Sequence, residues 1–224
     1  METKIPGKET FELCEKKNPH GGGISWISKG KVHFKKGIEA AEIYEIAKEF
    51  GTPCIAHFRI STIGGTPKEL CHPFPVTKKC PLDLQGEGDS VLFHNGVWQG
   101  WEKLCFQTIL NKNGVYPSDV MSDSRAMAWV TAHCNPSWLN FIPTQKVVIQ
   151  TKDTRLYFGS WEQDDETWYS NLYWKPKKYE GYKYSTYKYD KDSEDAWWDN
   201  YQKTSGATDD DIRRMRCTNG FYPD

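Results

Sequence analysis

The chain lacks any apolar run approaching the roughly 20 residues of a membrane-spanning helix. Its opening, Met-Glu-Thr-Lys-Ile-Pro-Gly, lacks the apolar core of a signal peptide. Charge of one sign is also missing: 29 Lys and Arg against 30 Asp and Glu leave a net −1, so no global field recruits nucleic acid or an anionic membrane. No Cys-x-x-Cys pair occurs. The seven cysteines form an odd, scattered set that fits reduced thiols in a cytoplasm better than a disulfide framework. Cys71, His72 and Cys80 are the one zinc set worth weighing, and without a Cys-x-x-Cys pair neither a metal nor a cofactor is expected. The Gly21-Gly22-Gly23 run has neither Walker spacing nor a following Lys-Ser/Thr, so it reads as backbone packed closely beneath another element. No internal repeat is visible.

The 224 residues suffice for one domain, or one domain with an appendage, around a substantial core. Residues 8–17 suit a short helix, broken by Asn18-Pro19 and the glycines that follow. Strands follow at Ile24–Ile27 and Val32–Phe34, joined by a turn at Lys29-Gly30-Lys31. Residues 38–50 carry the clearest helical periodicity, with Ile43, Tyr44 and Ala47 on one face and glutamates on the other, closed by Gly51. A strand is expected over residues 54–62, an extended segment over 71–75, and a helix from Trp98 to Leu110. Ser122-Asp123-Ser124 reads as a capped helix start, where Asp123 suits the first-turn dipole. A hairpin over 147–158 and a strand over 168–174 complete the order.

From Lys175 aliphatic residues vanish and tyrosines alternate with lysines. The organisation expected is therefore a domain over residues 1–174 and an aromatic, charged, poorly ordered tail over 175–224 ending in a short helix. Aromatic-basic alternation is able to stack single-stranded nucleic acid. The acidic stretch after it cancels the charge, so no nucleic-acid partner is expected.

The stretch that carries chemistry is Val91 to Trp98. A short apolar strand there stops on Asn95-Gly96. Asn-Gly is the commonest tight hairpin turn. It is also a pair of neutral donors, a side-chain NH₂ and an unobstructed backbone N–H, of the kind that holds an oxyanion in acyl transfer. Arg59, near the end of an apolar strand, calls for an anionic partner, either structural or a ligand carboxylate.

Four segments recur in order: His57-Phe58-Arg59-Ile60-Ser61-Thr62-Ile63-Gly64, His72-Pro73, His94-Asn95-Gly96, and Asp123 at a helix start. Together with Asn18-Pro19-His20-Gly21-Gly22-Gly23 they resemble the glutaminase domain of class II glutamine amidotransferases, over roughly residues 8–174. The resemblance implies an α+β fold of the N-terminal nucleophile hydrolase type, a four-layer αββα sandwich. It also implies hydrolysis of the glutamine side-chain amide, with ammonia passed to a partner synthase or acceptor protein. Asn95 (side chain) and Gly96 (backbone N–H) would hold the oxyanion, Arg59 the glutamine α-carboxylate and Asp123 its α-ammonium.

The family's nucleophile is a first-residue cysteine whose own α-amine is the base. Here position 2 is Glu2, and the nearest cysteine is Cys14, on a helix and without a free amine. The sequence as given is thus expected to be inactive. Three functions follow: a glutaminase whose nucleophile lies outside these residues, a non-catalytic module of the same fold that acts through partner proteins, or a hydrolase of another amide.

Overall fold

The amphipathic periodicity of residues 38–50 becomes helix α2 (Ala40–Phe50), with Ala40, Ile43 and Ala47 buried and Gly51 as its C-cap. It packs against α1 (Lys8–Lys17), whose Phe11 joins Ile24, Ala40, Ile43 and Ala47 in one cluster. Glu15 Oε1 of α1 accepts the Ala40 N–H at 2.9 Å, satisfying an orphan donor at the start of α2 with a charge the dipole favours. These relations come from a computed structural model that describes residues 4–61, 66–112, 115–117, 119–142, 145–176 and 208.

The first sheet has the order β3-β1-β2-β5, from β1 (Gly22–Ser28), β2 (Lys31–Ile38), β3 (Cys54–Phe58) and β5 (Gln85–Gly88). The second has the order β4-β6-β7-β8, from β4 (Phe74–Pro75), β6 (Ser90–Asn95), β7 (Lys146–Thr151) and β8 (Arg155–Phe158). All pairings are antiparallel. A separate ribbon joins β9 (Glu162–Asp164) to β10 (Thr167–Tyr169). The class is therefore mixed α+β with antiparallel sheets and several helices.

Side-chain alternation along β6 and β7 decides what each face meets. Val91, Phe93 and Val148 cluster with Val32 and Phe34 of the first sheet. Leu92, Val147 and Ile149 join the core formed with α3 (Trp101–Lys112) and α4 (Asp123–Thr131). Gln150 ties one sheet to the other: its Oε1 accepts the Ser25 hydroxyl, and its Nε2 donates to Pro53 O at 3.1 Å. Helix α4 is buried on every side from Ser124 to Thr131, including Arg125 at 1% exposure. The Arg125 guanidinium is satisfied by Cys80 O, Val120 O and Asp119.

Several expectations need adjustment. The strand expected over 54–62 ends at Phe58, where the backbone of Arg59 instead bonds Gly21 O and His20 N. The strand expected over 168–174 stops at Tyr169. The helix expected from Trp98 begins at Trp101. One compact unit spans Met1–Pro176. The expected tail lies outside the described residues from 177 onward, apart from Thr208.

Candidate functional site

Strand β6 carries its polar end into a buried hydrogen-bond circuit. Alternation puts His94 on the same side as Leu92, towards α4, and leaves it 2% exposed. His94 Nδ1 lies 2.8 Å from Ser124 Oγ, and Nε2 lies 2.6 Å from Gln145 Oε1. The other end of the Gln145 carboxamide donates to Val97 O at 3.0 Å. On the far side, Asp123 Oδ2 accepts the Trp98 N–H at 2.9 Å and Oδ1 accepts the Ser124 N–H at 2.8 Å. The residues on both sides of Asn95-Gly96 are therefore pinned.

Asn95 spends one of its two amide hydrogens on Ser170 Oγ, at 3.1 Å, which leaves the second for another acceptor. Gly96 has φ +148°, in the region that favours glycine. The obstacle to a side chain there is specific. A Cβ would overlap Gln145 Oε1 and come within 3.1 Å of His94 Nε2. Glycine at 96 thus makes room for the Gln145–His94 bond as well as freeing its own N–H.

Arg59 is 7% exposed, and one guanidinium nitrogen donates to Ser61 Oγ at 3.1 Å. Burial lowers its pKa, while the charges of Cys71 and Asp123 act in the opposite sense. Asp123 acts on His94 in the same way. Burial holds the His94 imidazole below its ordinary pKa, against the Gln145 hydrogen bond and the Asp123 charge. Its neighbours are also neutral imidazoles. The His57 and His72 rings are 4.1 Å apart, and neither His72 nitrogen has a hydrogen-bond partner. Burial, with His94 and Arg59 adding to it, lowers His57 to about 3, and burial, with His57, His94, Lys36 and Arg59 adding to it, lowers His72 well below its usual value.

His94 also lines a cavity of about 200 Å³. Its walls include His57, His94, Asn95 and Lys146, the thiols of Cys14 and Cys54, and the segment Lys4-Ile5-Pro6. Arg59, Gly96 and Asp123 do not line it. Of the four residues singled out in the sequence, only Asn95 lines the cavity; Gly96 sits against Gln145 and His94, and the charge of Asp123 acts on both His94 and Arg59. Burial pushes Cys14 up to about 12 and Cys54 up to about 11, so neither carries appreciable thiolate near neutrality.

Among the described residues no group of three His, Cys, Asp or Glu is placed to hold a metal. Cys71 Sγ instead lies 3.5 Å from His20 O and Cys80 Sγ lies 3.8 Å from Arg125 O. Gln145, Ser124 and His57 were not recognisable as site residues in the sequence, and His72 was weighed only as a zinc ligand with Cys71 and Cys80. His94 was visible only as the residue ahead of Asn95-Gly96, and Gln145 gave no signal at all. No protein-family model matches the chain, and no curated protein matches it.

Proposed function

We propose that this chain is a glutamine amidotransferase-like protein of the N-terminal nucleophile hydrolase fold. It acts in the cytoplasm and hydrolyses the glutamine side-chain amide to supply ammonia to a partner synthase. The observation that carries the reading is an anion, Asp123, whose charge acts both on the Arg59 cation and on His94, the residue that precedes the neutral donor pair Asn95-Gly96. A zwitterionic amide requires that set: Arg59 for the α-carboxylate, Asp123 for the α-ammonium, and two uncharged donors for the carbonyl oxygen. The four-layer αββα arrangement belongs to the same proposal. It is supported by the Val32–Phe34–Phe93–Val148 cluster between the two sheets and by the helical clusters on α2 and α4.

In the proposed reaction a cysteine thiol attacks the amide carbon and its own α-amine takes the proton. The tetrahedral oxyanion is held by Asn95 Nδ2 and the Gly96 N–H. Collapse returns the proton to the departing nitrogen, releases ammonia and leaves a thioester that water hydrolyses to glutamate. No cysteine precedes Cys14 in the sequence. Lys4, Ile5 and Pro6 line the same cavity as Asn95, and in this proposal a cysteine-initiated segment joined ahead of Lys4 approaches the Asn95 side chain through it.

A second reading, a non-catalytic module of the same fold that acts through partner proteins, is favoured by the cavity lining, which includes Asn95 but not Arg59, Gly96 or Asp123. Ammonia release from glutamine separates the two. The chain as given is expected to be inert and a version extended to begin Met-Cys active. An extended form that binds glutamine yet stays inert supports the second reading. Activity in the chain as given that survives Cys14→Ala contradicts the mechanism.

A further inference from the structure

We infer that Gln145 is a positioning residue for the Asn95-Gly96 donor pair, acting through a single tautomer of His94. This rests on the reading of Asn95-Gly96 as oxyanion donors, and it adds residues that the resemblance does not supply.

Hydrogen-bond bookkeeping fixes the tautomer. Val97 O has only acceptor capacity, so the Gln145 atom 3.0 Å from it is the NH₂. The carboxamide oxygen therefore faces His94 Nε2, at 2.6 Å, and being an acceptor it demands an N–H there. A neutral imidazole protonated at Nε2 presents a lone pair at Nδ1, and the Ser124 hydroxyl, 2.8 Å away, donates to it. Ser124 Oγ lies 3.4 Å from Asp123 Oδ1, and its hydrogen is already committed to His94. Asp123 is satisfied instead by the backbone N–H groups of Ser124 and Trp98.

The circuit closes around the turn. Gln145 grips its entrance through His94 and its exit through Val97 O, while Asp123 grips Trp98 N–H one residue further on. The orientation of the Gly96 N–H depends on the peptide plane between Asn95 and Gly96, which lies inside this clamp. The fit is tight because the Gln145 oxygen occupies the space of the missing Gly96 side chain. Oxyanion donors work only when preorganised, and a side chain that fixes the plane acts on the rate without touching the substrate.

Nitrogen-15 spectra of the His94 ring at pH 8 test this directly, together with the Gly96 amide signal, in the wild type, Gln145→Met and Ser124→Ala. The wild type is expected to show a protonated Nε2 and a bare Nδ1. Ser124→Ala should keep that tautomer, because Gln145 still demands it. Gln145→Met should lose it and shift or broaden the Gly96 amide. A wild-type Nδ1–H tautomer, or a Gly96 amide indifferent to Gln145→Met, overturns the inference whatever the activity. If Gln145→Met does not fold, the wild-type and Ser124→Ala tautomers still decide. In a cysteine-initiated form, Gln145→Met should lower kcat by about tenfold or more with KM little changed. A change confined to KM contradicts the positioning role. If the spectra agree while the cysteine-initiated wild type releases no ammonia, the glutaminase reading fails and the clamp stands.

Discussion

His94 Nε2 lies 2.6 Å from Gln145 Oε1, and that oxygen fills the space a Cβ on Gly96 would need. Residues 51 positions apart in sequence thus explain why glycine follows Asn95. A hairpin turn alone does not account for this contact, which links the donor pair to α4 and to the loop ahead of β7.

Gly96→Ala should therefore destabilise the fold by about 2–4 kcal/mol, combining an unfavourable φ with steric overlap. Urea unfolding of the single variants and of Gly96→Ala/Gln145→Ala gives the coupling. Part of the cost should be recovered in the double variant. Simple additivity would show that Gln145 is not what excludes the side chain.

The neutral imidazoles predict acid sensitivity. His57 titrates at about 3 when folded, against an ordinary 6.5, so the unfolded chain binds this proton between those values and the folded chain does not. Stability is present above about 6.5 and falls as pH drops towards about 3, by up to about 1.4 kcal/mol per pH unit for each such histidine. His72 is shifted in the same direction. Urea unfolding at pH 7, 6 and 5 should show the decline, and His57→Gln should flatten it by up to one proton. Equal stability at all three values contradicts a neutral His57–His72 pair.

Much of the framework was legible because local pattern and tertiary outcome agree. Ile43 and Ala47 mark the buried face of α2, Ser122 caps α4 by accepting the Arg125 N–H, and Val147–Ile149 turns back at Lys152-Asp153 to pair with β8. What escaped had no local signal. β5 reads Gln-Gly-Glu-Gly, with no apolar alternation, and exists because β2 offers its open edge. Arg59 and Asp123 were visible one by one, but their proximity depends on how the sheets and α4 assemble. Gln145 precedes a strand and resembles any polar loop residue, while the His57–His72 contact is a long-range event. Buried hydrogen-bond circuits are built by topology, so sequence spacing does not reveal them.

Burial of the thiols predicts low reactivity. Cys14 and Cys105 are pushed up to about 12, and Cys54 and Cys80 to about 11. Alkylation by iodoacetamide at pH 7.5, mapped by mass spectrometry, should be at least about tenfold slower at these four sites in the folded chain than in urea, since only the thiolate reacts. Rapid selective labelling of Cys14 would revive it as a nucleophile.

The most direct measurement of the central claim is calorimetric titration of the folded chain with L-glutamine, because it reads the Arg59, Asp123 and Asn95-Gly96 constellation whether or not a nucleophile is present. The account predicts saturable binding, weakened at least about tenfold in Arg59→Gln and in Asp123→Asn, the loss expected for one charge-assisted contact. Absence of binding at millimolar glutamine, or affinity unchanged in both variants, would contradict it.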